Sequence, residues 1–224
     1  MIRHQRIFRR WHRWLAIITA LQLLAWTVSG VFFAFIDINY VRGESHQRPP
    51  VAQTFDPSKL TFETKEIRTL RVVPRLPDEW VVELHSELNG AQWLSLAGDP
   101  LPPLTRDQAL MLGSMQTNLL PDTAEWVDSA DLAAEYRGRP LPLWKVYSSS
   151  ESATVAYLHA TSGEVLAIRN EAWRWWDFLW SLHIMDYDDR DTIGTLLLKV
   201  FSVLALVTAL AGIGLFFLLP KKFY

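Results

Sequence analysis

Trp14 to Ile36 reads WLAIITALQLLAWTVSGVFFAFI, 23 residues without a charge. Near the other end, Val200 to Leu219 reads VFSVLALVTALAGIGLFFLL, 20 residues without a charge. A hydrocarbon core of about 30 Å takes about 20 helical residues to cross, so both runs have the length and composition of transmembrane helices. The surrounding charges are sorted by position. Residues 1–13 carry Arg3, Arg6, Arg9, Arg10 and Arg13 without an acid, Lys221-Lys222 follows the second run, and all 24 acidic residues lie between Asp37 and Asp191. The positive-inside rule then places both termini in the cytoplasm and the intervening residues outside it. The expected layout is a cytoplasmic 1–13, a first span 14–36, a periplasmic domain 37–193, a second span 194–219 and a cytoplasmic 220–224, in a bacterial inner membrane. A cleaved signal peptide is the rival reading. Its apolar core would be about 7–15 residues, and Phe32, Phe33 and Phe35 stand where small residues would guide cleavage.

The remaining composition narrows the function classes. Among 224 residues, 50% are hydrophobic and 11 are Trp, which excludes intrinsic disorder, and the absence of Cys excludes a disulfide scaffold. A net charge of −2 offers no basic field for nucleic acid. Between the spans, Ile67 to Val73 and Trp80 to Leu88 are rich in β-branched and aromatic residues, and Trp80, Val82 and Leu84 alternate with Val81, Glu83 and His85. Asn89-Gly90 reads as a tight hairpin into Gln92 to Leu96. Thr105, followed by Asp107, caps a helix through about Gln116. Leu143 to Tyr147, Ala153 to Ala160 and Val165 to Arg169 read as strands, with a turn at Ser162-Gly163 and a helix from Glu171 to about Met185. Trp93-Leu94 before Gly98-Asp99-Pro100-Leu101 matches Tyr157-Leu158 before Gly163-Glu164-Val165-Leu166. The expected fold is α+β: two related units of antiparallel strands plus a helix, anchored by two transmembrane helices.

The run Leu143-Trp144-Lys145-Val146, the run from Ala156-Tyr157-Leu158 through Thr161-Ser162-Gly163-Glu164, and Trp173 to Trp176 with Leu182-His183 resemble the PepSY-associated transmembrane family. Its pattern is a strand, a Tyr-containing strand ending in Thr-x-Gly-Glu, and an aromatic helix ending in Leu-His before a span. Arg9-Arg10-Trp11-His12-Arg13-Trp14-Leu15 resembles the family's basic opening of the first span, and Thr27-Val28-Ser29-Gly30 its small-residue exit. The resemblance implies PepSY-like periplasmic modules held in the inner membrane and, in some relatives, haem b and reduction of ferric siderophores. It also carries a departure, since the haem-bearing relatives have four or more spans with further His residues.

No Cys nucleophile, Gly-rich phosphate loop or His-Glu-x-x-His pattern is present, so no hydrolase is expected and no catalytic residue is assigned. Two of the six His are candidate cofactor and metal ligands. His12, at a helix end, is a candidate for haem iron, with Arg9, Arg10 and Arg13 as partners for propionates. The alternative is a plain basic anchor. His183 follows Trp176, Leu179 and Trp180 on one helical face and is a candidate for haem or an electron acceptor, or else an interfacial His closing an aromatic cluster. From His12 to Ile36 is about 36 Å of helix, so the two cannot share an iron within one chain. Bis-His ligation needs a homo-oligomer or another membrane subunit. Thr19, Gln22, Trp26, Ser29 and Phe33 on the first span, and Ser202, Ala205, Ala209 and Gly212 on the second, form stripes suited to helix packing, most simply against each other. Asp186, Asp188, Asp189 and Asp191 offer oxygen ligands but read more simply as a solvated start to the second span. His85 and His159 read as sheet residues. The functional expectation is membrane electron transfer or ferric-siderophore uptake with haem b, with the lipid bilayer as a partner. The alternative is a non-catalytic accessory or protein-binding module, including a protease-modulating one.

Overall fold

A computed structural model describes residues 2–50, 53–61, 67–86 and 90–218, with side chains between 13 and 213 in those stretches. In chain order the helices and strands are α1 (Ile2–Phe35), α2 (Ile38–Val41), β1 (Ile67–Leu76), β2 (Glu79–Ser86), β3 (Gly90–Leu94), α3 (Arg106–Gln116), β4 (Thr123–Val127), β5 (Leu143–Ser148), β6 (Glu151–His159), β7 (Val165–Arg169), α4 (Glu171–Ile184) and α5 (Leu196–Leu218). They divide into two compact units, residues 38–174 and residues 1–37 with 175–224.

The unit 38–174 is α+β and holds two antiparallel sheets, β1-β2-β3 and β4-β5-β6-β7. In the first, Val82, Leu84 and Leu94 form a buried cluster with Leu60, Leu70, Val72 and Leu96 packed against it. Their spacing along β2 is the period-two pattern of a strand. β1 runs three residues past its expected end and turns at Pro77-Asp78, where Asp78 takes φ +64°. Gly90 opens β3 with φ +67°, and its partner is Ser86. Asn89, the other half of the expected turn, lies outside the described residues.

In the second sheet, successive residues feed opposite faces. Leu143, Val155, Tyr157 and Ala167 cluster on one side. On the other, Val146, Ala156, Leu158 and Ile168 pack with Leu104 and with Ala109 and Leu112 of α3. Thus α3 covers the second sheet rather than the first, and the two strand groups are not equivalent strand-plus-helix units. Thr105 starts α3 with a reciprocal capping box, Oγ1 accepting from Gln108 N at 3.3 Å and Gln108 Oε1 accepting from Thr105 N at 2.9 Å. β4 has no counterpart in the sequence expectation. The matched stretches do share local geometry: Leu94 bridges Pro100 around Gly98 as Leu158 pairs with Val165 around Gly163, and both glycines have positive φ. Proline has no N–H to extend a ladder, so the first copy stops at a single bridge.

In the other unit, Arg13–Phe35 and Leu196–Ile213 are long and apolar enough to cross a membrane. Leu21, Leu24, Val28 and Val31 on α1, and Val203, Leu206, Val207 and Leu210 on α5, are exposed. So continuous an apolar surface is unfavourable in water and natural against lipid. Hydroxyls within the spans satisfy themselves on the preceding turn, Thr19 on Leu15 O at 2.9 Å and Ser202 on Leu198 O at 2.7 Å. The inward face of α5 differs from the expected small-residue stripe. Phe201, Leu204, Ala205, Thr208 and Ala211 are partly covered, whereas Ser202, Ala209 and Gly212 are exposed. A helix apolar all round carries no periodic signal that says which face turns inward.

Candidate functional site

Beyond its first turn, α4 belongs to the unit with the spans. Trp176, Trp180 and His183 recur at i, i+4 and i+7, which sets one ring above the next. Trp176 and Trp180 stack at 5.2 Å and 13°, and Trp180 and His183 at 6.3 Å and 7°. Phe33 of α1 meets all three at 5.6–6.0 Å. Ser29 Oγ, fully buried, lies 2.7 Å from His183 Nδ1. The same hydroxyl lies 2.8 Å from the carbonyl of Ala25 and 3.1 Å from that of Trp26, either of which can take its proton. With the proton directed to either carbonyl the hydroxyl oxygen accepts from His183 Nδ1, and in the other tautomer the hydroxyl donates to Nδ1. In either arrangement the ring nitrogen left without a partner from Ser29 is Nε2.

The polar side chains of α1 also finish α4. The last carbonyls of any helix lack intrahelical partners, and within a membrane no water replaces them. Gln22 Nε2 donates to Leu182 O at 3.4 Å and Trp26 Nε1 to His183 O at 2.7 Å. Thr195 Oγ1 donates to Met185 O at 3.3 Å and accepts from Leu198 N at 3.1 Å, so it closes α4 and caps α5. Met185 takes φ +53°, which ends the helix one residue earlier than expected. Asp177 is 2% exposed and pairs with Arg190 at 2.6 Å.

Two of the four acids after His183 accept hydrogen bonds from their own loop. Asp186 Oδ2 accepts from Thr192 N at 2.9 Å, while Asp189 accepts from Asp191 N and Thr192 Oγ1, both at 3.3 Å. Among the described residues no group of three or more metal-capable side chains converges. The first turn of α5 contains no acid, so the expected dipole role at that helix start is taken by Thr195 instead.

The motif Thr161-Ser162-Gly163-Glu164 is a joint within the unit 38–174. His159 Nδ1 accepts from Thr161 N at 3.3 Å and Ser162 N at 3.1 Å, while the ring packs on Trp93 at 4.9 Å. Thr161 O receives Arg75 Nε at 2.8 Å, Gly163 O receives Gln116 Nε2 at 2.8 Å, and Glu164 pairs with Arg71 at 2.6 Å. Four residues thus tie β1, α3 and the β6–β7 turn together. The first turn of α4 lies in this unit: Asn170 Oδ1 caps it by accepting from Trp173 N at 2.8 Å, and the Arg169 guanidinium lies 4.3 Å over the Trp173 ring. Burial, reinforced by Arg139, lowers Arg169 to about 10.

Burial also holds His159 below the usual imidazole range, against the opposing pull of Glu83 and Glu164. Protonation would turn Nδ1 into a donor facing two N–H donors. The unfolded chain therefore binds this proton more readily. Stability should be level above about pH 6.5, fall as pH drops from there towards the lower folded value, and flatten below it. Urea unfolding of the whole chain in nanodiscs between pH 7.5 and 5 should show this slope, and His159→Ala should remove it. An unchanged slope in that variant would assign the pH dependence to other groups.

Of the expected site residues, His183 is placed in a built environment and Arg13 is exposed. The side chains of His12, Arg9 and Arg10 lie outside the described residues. The contact with Ser29 refines the separation between the two candidate His. From residue 12 to residue 29 of α1 is about 26 Å of rise, shorter than the expected 36 Å and still too long for one iron. Ser29 itself was visible only as one member of the α1 stripe and of the Thr27-Val28-Ser29-Gly30 motif. Comparison with known families finds that the family described as PepSY-associated TM region matches residues 9–223. No curated protein and no solved structure gives a match.

Proposed function

Because this chain belongs to the PepSY-associated TM region family and is a membrane protein, we propose that it serves membrane electron transfer in iron uptake, as a haem b subunit of ferric-siderophore reduction. In this reading both termini are cytoplasmic, residues 37–193 are periplasmic, and the membrane is the bacterial inner membrane. The observation that carries it is the His183–Ser29 hydrogen bond. Iron-ligating imidazoles donate their second nitrogen to a fixed acceptor, which orients the ring and raises its basicity. With Nδ1 donating to Ser29 Oγ, His183 would have that arrangement, and Nε2 would be left as the electron-pair donor.

Each chain would offer one His to each of two groups. His183 would hold haem b on the outer side, and the cytoplasmic-side set of His12 with Arg9, Arg10 and Arg13 would hold a second group through its iron and propionates. Haem b supplies a one-electron couple between ferric and ferrous iron. Ser29 fixes the imidazole, Trp180 and Phe33 limit its rotation, and Trp26 and Gln22 anchor the helix end that carries it. A second His ligand for either group would have to come from another copy or another membrane subunit, and the lipid bilayer would cover the rest.

An optical spectrum of the full chain expressed with ample haem tests the proposal. Sharp reduced-state bands in a species containing two chains, or a chain and a partner, are expected. A colourless protein would leave the accessory or protein-binding module as the better reading. Two axial His in a partner-free monomer would contradict the separation along α1.

A further inference from the structure

A cleft of about 590 Å³ lies within the unit 38–174, between the lead-in segment near Pro49, strand β1 and the end of α3. Its walls are mainly apolar, from Pro49, Val73, Leu76, Leu112, Met115 and Val165. That volume is in the range of small-molecule sites, roughly 300–1,000 Å³.

The charges lining it differ in what is left to bind. Arg75 is buried and committed to Thr161 O, Pro102 O and Glu79. Arg71 is shared between Glu83 at 3.4 Å and Glu164 at 2.6 Å. Asp78 sits on the exposed β1–β2 turn. Arg48, exposed at the rim, donates through Nε to the Asn118 amide oxygen at 3.1 Å, and among the described residues no carboxylate pairs with it. One guanidinium therefore remains for one negative charge, beside an apolar cavity.

Backbone chemistry argues against a peptide occupant. β1 is an edge strand of its sheet, but Pro74, which lines the cleft, stands at a register shift and has no N–H to offer an added strand. An occupant held by apolar contact along its length, with a single charged end, suits the cleft better. We propose that this cleft binds a monoanionic amphiphile, an aliphatic chain ending in a carboxylate, with the head on Arg48 and the chain against Val73, Leu112 and Met115.

Met115 lines the cleft, whereas Met111 of the same helix is exposed elsewhere and Met185 lies in the other unit, so methyl signals separate binding from bulk partitioning. The full chain, labelled with 13C-methyl methionine and held in nanodiscs, is titrated with decanoate or with decanol. Decanoate should shift Met115 saturably and leave Met111 and Met185 in place, while decanol should bind at least about tenfold more weakly, as should decanoate to Arg48→Ala. Val73→Trp should weaken binding by filling the cavity. An unmoved Met115 would overturn the site. Equal affinity for decanoate and decanol, or an Arg48→Ala variant that binds decanoate normally, would overturn the anionic head.

Discussion

His183→Ala is expected to abolish the outer-side haem absorbance of the purified full chain, while Ser29→Ala should keep the ligand and lower haem affinity by about 10–100-fold. The contrast follows from the hydrogen bond between Ser29 Oγ and His183 Nδ1. In the proposed reading, removing the imidazole removes the electron pair that would meet iron. Removing the hydroxyl leaves the ring free to rotate or change tautomer, because among the described residues no other hydrogen-bond partner is placed at Nδ1. Ser29→Ala costs the span little, since the hydroxyl otherwise bonds only to carbonyls of its own helix. Emission from Trp176 and Trp180, which stack in series with His183, reports whether the helix end has shifted. If His183→Ala keeps the full spectrum, the iron is held elsewhere, and His12 becomes the remaining candidate among the two. If Ser29→Ala binds haem as tightly as the unaltered chain, the tautomer argument is wrong.

The second large effect is expected at Gly163. Its φ of +73° lies in the left-handed region, and a Cβ there would collide with Leu112 Cδ1 and sit 3.1 Å from Leu104 Cδ1. Both leucines belong to the packed core between α3 and the second sheet. The left-handed conformation costs a non-glycine residue about 1–2 kcal/mol, and overpacking a closed core about 1–3 kcal/mol. Gly163→Ala should therefore destabilise this unit by about 2–5 kcal/mol. Gly138→Ala is the matched control: its φ is +71° with nothing within 4 Å of the added carbon, so only the first cost applies. Hydrogen exchange of β5–β7 amides in the nanodisc-held chain reads the difference. Equal protection in both variants would mean that α3 yields to the extra methyl group.

The glycine of the Thr-x-Gly-Glu motif thus has a structural reason that no pattern of letters conveys. The sequence shows a turn residue, but the need for it to lack a Cβ comes from Leu104 and Leu112, more than 50 residues away in the chain.

Length, charge order and periodicity by themselves determined the two apolar helices, the strands β1, β2, β5, β6 and β7, the start of α3 at Thr105 and the aromatic face of α4, because each depends on residues only a few positions apart. β4 escaped notice because Thr123–Val127 is five residues long and takes its strand conformation from pairing with β5, through Trp126 against Trp144 and Ala124 against Val146. Which sheet α3 covers, which face of α5 turns inward and which atom meets His183 Nδ1 were decided only by tertiary structure. Each is a choice among surfaces that are locally equivalent, settled by burial and hydrogen bonding with partners distant in sequence. Ser29 and His183 are 154 residues apart, and only the meeting of a span with a helix end brings Oγ and Nδ1 to 2.7 Å.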